Sequence, residues 1–284
     1  MKNSDLTKCP ARVKNKPSII GTILTFCLAI GSSIGLSGCF HPDQPSASKN
    51  NSIHQYSTLS ALLEGVYDGE MTVGELKQQG NFGIGTFNAL DGELILFEGH
   101  CYKATSDSRI LTMADSVKTP FAAICNFHAD TTIRVSHPTK IKSLENDLDS
   151  ALSKPNLIYA YQITGKFDSV VIRSVPKQEK PYKRLIEAYK KQGVFTFVDQ
   201  QGTLIGYKFP KYLKEVNMDA YHFHFLSSDK TKGGHLLNCT LKSGEVSIAF
   251  VRNYTLQLPN NDYFNHTVLI NNKSELKLIE GADR

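Results

Sequence analysis

From Asn81 onward the sequence is a succession of short extended runs separated by turn signals, interrupted only briefly by helical spacing. Asn81–Asn88 (NFGIGTFN) leads to Asp91-Gly92, and Glu93–Phe97 (ELILF) returns from it. Asp-Gly between extended runs is a strong hairpin signal, because both residues tolerate positive φ. Further strands are expected at 121–127, 131–135, 194–199, 202–209, 220–227, 234–242 and 245–256. Residues 157–164 and 169–175 are expected to pair across Gly165-Lys166-Phe167-Asp168. Short helices are expected at Thr58–Glu64 and at Val73–Gln79, the latter closed by Gly80. Apolar residues at 141, 144, 148 and 152 predict another helix, and a fourth follows Pro181 as far as Gln192. The fold class is therefore α+β, with mixed, mostly antiparallel sheet and a few short helices. Two closely associated subdomains are expected, residues 55–178 (an N-terminal α/β part) and 179–284, with Pro176–Pro181 as the seam.

The first 39 residues are set aside from this pattern. Lys2, Lys8, Arg12, Lys14 and Lys16 face a single acid, Asp5, and an apolar stretch from Ile19 to Leu36 follows. A basic flank, an apolar segment and small residues before the break make a secretory signal layout. The ending Leu36-Ser37-Gly38-Cys39 resembles the lipobox of bacterial lipoproteins, whose Cys becomes the lipidated first residue. An uncleaved anchor is the alternative, since about 18 apolar residues approach the minimum for a span. Either way the remaining chain is expected to be exported, and on the lipoprotein reading it is anchored at a membrane by lipid only. Residues 40–54, rich in Pro, Ser, Asn and His, read as a tether. The signal also carries most of the charge imbalance. The whole chain has 32 basic and 27 acidic side chains, and removing residues 1–39 leaves 27 against 26. A near-neutral body gives no electrostatic case for nucleic-acid binding.

Chemistry is concentrated in Tyr221-His222-Phe223-His224-Phe225. In a strand, residues i and i+2 share a face, so both imidazoles project together while Phe223 points away. The following polar segment ends in Gly233-Gly234 and returns the chain to His235, a third imidazole on an adjacent strand. Three neutral histidines with open positions suit a catalytic metal, zinc by default. A bare H-x-H is more often a strand pair packed against aromatics, and His235 brings the two readings level. Cys101, Cys125 and Cys239 contain no C-x-x-C pair, so a cysteine zinc site is disfavoured; one disulfide or three half-buried thiols both fit. There is no G-x-S-x-G elbow and no H-E-x-x-H motif. Gly83-Ile84-Gly85 lacks the third glycine of a dinucleotide fingerprint.

Several separated motifs together resemble the α-acetolactate decarboxylase family. They are the segment Gly80–Ile95 (GNFGIGTFNALDGELI), Gln178-Glu179-Lys180-Pro181-Tyr182, Gly202-Thr203-Leu204-Ile205-Gly206, Tyr221–Phe225 with Gly233-Gly234-His235, and Leu258-Pro259. Their order and spacing cover roughly residues 55–284. Asn81, where many members have Asp, and Leu236-Leu237-Asn238 depart from the family pattern without touching a proposed ligand. The resemblance implies a carboxy-lyase of acetoin biosynthesis that converts 2-acetolactate to acetoin and carbon dioxide, commonly as a homodimer. It implies zinc held by His222, His224 and His235 in the C-terminal part, with Glu93 at the metal and Thr86 lining the site. Arg173 corresponds to a family arginine, and Glu280, before Gly281, to a C-terminal glutamate. On this reading the metal chelates the hydroxyl and ketone oxygens, Arg173 orients the departing carboxylate, and Glu93 or Glu280 delivers the proton. The alternative is an exported metal- or ligand-binding lipoprotein without decarboxylase activity.

Overall fold

A computed structural model describes residues 51–269; the expected signal segment with Cys39, most of the expected tether, and Glu280 lie outside them. In chain order the elements are β1 (Asn51–Tyr56), α1 (Leu59–Leu63), α2 (Val73–Gln79), β2 (Phe82–Thr86), β3 (Glu93–Phe97), β4 (His100–Ala104), β5 (Ile110–Thr112), β6 (Phe121–Cys125), β7 (Thr131–Val135), β8 (Thr139–Lys140) and α3 (Ile141–Leu152). There follow β9 (Ile158–Ser174), α4 (Leu185–Tyr189), β10 (Gly193–Lys208), β11 (Tyr221–Ser227), β12 (Gly233–Gln257) and α5 (Asp262–His266). Mostly antiparallel sheet with a few short helices is thus what forms; β1 alone runs parallel to its neighbour β12.

The helices form where local signals demand them. Thr72 and Glu75 make a reciprocal capping box on α2, each side chain accepting from the other's backbone N–H at 3.2 and 2.8 Å. In α3, Ile141, Leu144 and Leu148 bury one stripe against the sheet, as their spacing predicts. The helix expected after Pro181 is shorter than its pattern, with only Leu185–Tyr189 helical. Among the described helices none is long and apolar enough to cross a membrane.

Strand length is where the structure departs from local reading. Gly165–Asp168, expected as a turn, is the middle of a single 17-residue strand, and β10 and β12 likewise run through the expected breaks near 200 and 243. The reason is tertiary: β9 is flanked along its length by β10 and β12, whose ladders satisfy its backbone. Gly165 faces Gly244 across that ladder, and a Cβ on Gly165 would lie 2.3 Å from the Ser243 carbonyl oxygen. These glycines serve close strand approach, not a turn. The intervening Phe167 is buried beside Phe225.

The sheet order is β11-β10-β9-β12-β1-β6-β2-β3-β4-β5, with β7 and β8 also paired to β12. β11 pairs with both β10 and the start of β12, so these four long strands close on themselves. One face of this curl packs under α3 through Phe167, Ile172, Phe223, Phe225 and Leu236. A separate cluster, including Leu59, Leu62, Leu90, Phe121, Leu185 and Met218, brings α1 and α4 together.

Candidate metal centre

The alternation of β11 decides which side chains meet. Phe223 and Phe225 enter the core under α3, so His222 and His224 must emerge on the opposite face. Register then supplies the rest: His224 sits directly opposite His235 on β12, and His235 sits opposite Arg173 on β9. Two imidazoles and a guanidinium are therefore lined up across three adjacent strands, with His222 beside them. The three ring centroids lie 4.8, 5.1 and 5.5 Å apart. Their candidate ligand nitrogens all fall within 4.8 Å of one another, the closest pair, His222 Nε2 and His235 Nδ1, at 3.1 Å.

Two of the three rings are oriented by partners outside the triad. His224 Nδ1 donates to the carbonyl of Leu94 on β3 at 2.9 Å. That bond fixes the tautomer and leaves the Nε2 lone pair pointing inward; this atom is buried and has no hydrogen-bond partner. Arg173, only 2% exposed, donates from Nη2 to His235 Nε2 at 3.1 Å. Its Nε is buried without a partner, and among the described residues no carboxylate forms an ion pair with it. Glu93 Oε2 stands 3.5 Å from His224 Nε2. Thr86, opposite Glu93 in the β2–β3 ladder, donates its hydroxyl proton to the Gly92 carbonyl at 2.7 Å.

Burial dominates the electrostatics. It lowers His224 to about 3, opposed by the Leu94 hydrogen bond and assisted by the Arg173 charge. It pushes His222 well below its ordinary value, with His224 and Arg173 acting in the same direction. Both imidazoles are therefore neutral at neutral pH, the form that offers a lone pair to a metal. The contact of His224 with Glu93 is accordingly not an ion pair. Burial raises the Glu93 carboxyl to about 7 against the pull of Arg173. The donor set fits a divalent cation. Two nitrogens on a tetrahedral zinc are separated by about 3.4 Å, inside the 3.1 to 4.8 Å range found here. The partnerless Nε2 of His224 is the atom such an ion would satisfy.

These groups border a cavity of about 40 Å³ with two contrasting walls. Thr86, Glu93, His222, His224 and His235 supply the polar wall; Leu59, Leu62, Leu90, Phe121, Leu185 and Met218 supply the apolar one. A larger open groove of about 960 Å³ lies beside α3 and reaches the histidines only at His235. The structure thus brings together Thr86, Glu93, Arg173 and the three histidines. Sequence reasoning did not find the Leu94 carbonyl or Tyr189, whose ring lies 4.2 Å from the Arg173 guanidinium carbon. A main-chain carbonyl leaves no residue-type signal, and Tyr189 sits on a segment whose only local signature is a short helix.

Residues 53–271 match the family model described as alpha-acetolactate decarboxylase. The alpha-acetolactate decarboxylase of Methanosarcina mazei is 38% identical over 239 residues, 83% of each chain. That of Bacillus subtilis strain 168 is 39% identical over 214 residues, 75% of this chain and 84% of its own. A crystal structure of the Bacillus subtilis strain 168 enzyme superposes with a TM-score of 0.79 at 37% identity, covering 81% of this chain and 99% of that one.

Proposed function

Because this chain belongs to the alpha-acetolactate decarboxylase family and is a carboxy-lyase, we propose that it removes carbon dioxide from 2-acetolactate with a zinc ion held by His222, His224 and His235. The observation that carries the proposal is the convergence of neutral imidazoles on one inward-facing, partnerless nitrogen, beside a buried guanidinium that forms no ion pair among the described residues. Zinc would supply Lewis acidity for the charge that decarboxylation leaves on the substrate's hydroxyl and ketone oxygens. The substrate's ketone lies β to its carboxylate, so no thiamine or pyridoxal electron sink is needed.

The protein's own residues divide the remaining work. Arg173 is a fixed fork of donors beside His235, and its Nε has no hydrogen-bond partner among the described residues, so it orients the substrate carboxylate before it departs. Burying that cation without an ion pair among the described residues is costly, and the incoming carboxylate relieves the cost. Leu62, Leu90 and Met218 pack against the substrate methyl groups and exclude water, which strengthens the electrostatics on the opposite wall. Glu93, at 3.5 Å from His224 Nε2, is placed to carry the proton that replaces the carboxylate. Glu280 is the second candidate for that role. Thr86 borders the cavity with its hydroxyl oxygen fixed by Gly92. From sequence alone we further assign an exported protein lipidated at Cys39 and acting as a homodimer.

The test is acetoin formation from 2-acetolactate by the purified protein, before and after chelation and on return of zinc. Turnover is expected to disappear with the metal and to recover with zinc. Full activity after complete metal removal, or in a His222→Ala protein that has lost its metal, would refute the zinc assignment. A folded, zinc-loaded protein with no acetoin production would refute the substrate.

A further inference from the structure

We infer that Tyr189 is a positioning residue for the decarboxylation, its ring holding the plane of the Arg173 guanidinium so that the fork meets the substrate carboxylate; this rests on the reading of the site given above. Arg173 needs such a device. Its side chain is buried, yet among the described residues its one hydrogen bond to another side chain runs from Nη2 to His235 Nε2, and Nε has no partner there. A guanidinium held by one hydrogen bond can swing about that bond, and its value as a planar, two-pronged donor is lost when it does. A ring stacked on its face removes that rotation. The Tyr189 ring lies 4.2 Å from the guanidinium carbon, well inside cation–π range, and borders the same cavity as Glu93 and the histidines.

The segment that carries the ring is held at both ends. Arg184 caps the start of α4 and donates two hydrogen bonds, 2.7 and 2.8 Å, to Glu64 at the end of α1. At the other end the Gln192 N–H closes a turn on the Tyr189 carbonyl at 3.1 Å, and the chain enters β10 at Gly193. The next residue, Val194, is the register partner of Arg173 on β9. The junction of α4 with β10 is thus referenced to the strand that carries the guanidinium, and the stack is a consequence of sheet register.

The experiment compares wild type with Tyr189→Leu and Tyr189→Phe in three assays on the zinc-loaded protein. These are kcat/KM for 2-acetolactate, inhibition by 2-hydroxy-2-methylbutanoate, and inhibition by acetoin. The first inhibitor keeps the substrate carboxylate and cannot decarboxylate; the second has no carboxylate. Tyr189→Leu is expected to lower kcat/KM and weaken the acid inhibitor by roughly 10- to 30-fold, while acetoin inhibition and bound zinc stay unchanged. Tyr189→Phe restores the ring and most of the lost kcat/KM. Equal weakening of acid and acetoin by Tyr189→Leu would mean general packing and overturn the inference, as would a Phe variant no better than Leu. Wild-type turnover with an unaffected Tyr189→Leu protein sinks this inference alone, whereas absent wild-type turnover sinks the reading of the site.

Discussion

Substituting Gly206 by alanine should damage both the stability of the protein and its metal centre, for one geometric reason. Gly206 lies on β10 opposite Phe223, between the two histidines of β11. A Cβ there would sit 2.0 Å from the His222 carbonyl oxygen and 2.7 Å from Phe223 Cδ1. Real Cβ contacts essentially never fall below 3.0 Å, so β11 must retreat by at least about 1 Å at His222. The obstacle is main chain in a closed set of four strands, which places the cost at the upper end of the usual overpacking range, about 3 kcal/mol. For a chain of this size that corresponds to a melting temperature lower by roughly 6–12 °C. The same displacement shifts His222 relative to His235, whose nitrogens now stand 3.1 Å apart, and metal ligands tolerate errors of only about 0.2 Å. Thermal unfolding followed by circular dichroism measures the first effect; bound metal per chain after dialysis and kcat/KM measure the second. An alanine protein that melts within a degree of wild type and retains full metal and turnover would show that β11 is not held in this register.

Other consequences concern parts of the fold that support the site. Arg184→Ala strands Glu64, whose side chain is 8% exposed, without its two-pronged partner. Because Arg184 itself is about a third exposed, the expected loss is reduced to roughly 1–2 kcal/mol. Adding Glu64→Gln should recover part of it in urea denaturation; a neutral single variant would contradict the role given to this pair. For Glu70, burial alone would raise the carboxyl pKa, but hydrogen bonds from Tyr56 and Asn261 outweigh it and hold the value below 4.5. A depressed folded-state pKa means stability that is complete above pH 4.5 and is lost as pH falls through the folded value. Glu70→Gln should therefore lower the melting temperature at neutral pH and flatten its decline under acid, and a wild-type slope in the variant would exclude the mechanism. Cys101, Cys125 and Cys239 are buried free thiols that burial pushes up to about 12. In native protein, peptide mapping after thiol labelling should find all three unmodified until denaturant is added; rapid native labelling of any of them would contradict its burial.

The elements most legible in the sequence were those whose cause is local. The Thr72–Glu75 box starts α2, the 141, 144, 148 stripe makes α3, and the H-x-H spacing needs only an extended chain to place two rings on one face. Gly165–Asp168 was misleading because glycine and aspartate are turn formers by local preference, while two flanking ladders overrode that preference. β4 and β5 also escaped local reading, since His100–Ala104 has little apolar alternation and gains its strand character by pairing with β3.

By itself the sequence determined the alternating, mostly antiparallel class, the pair His222 and His224, and the family motifs that link this chain to the decarboxylases. Only the tertiary structure decided that His224, His235 and Arg173 share one register line, that Leu94 sets a histidine tautomer, and that Tyr189 covers the guanidinium. The division follows from range: backbone periodicity and capping act over a few residues and are written locally, whereas strand register is settled by packing between segments far apart in the chain.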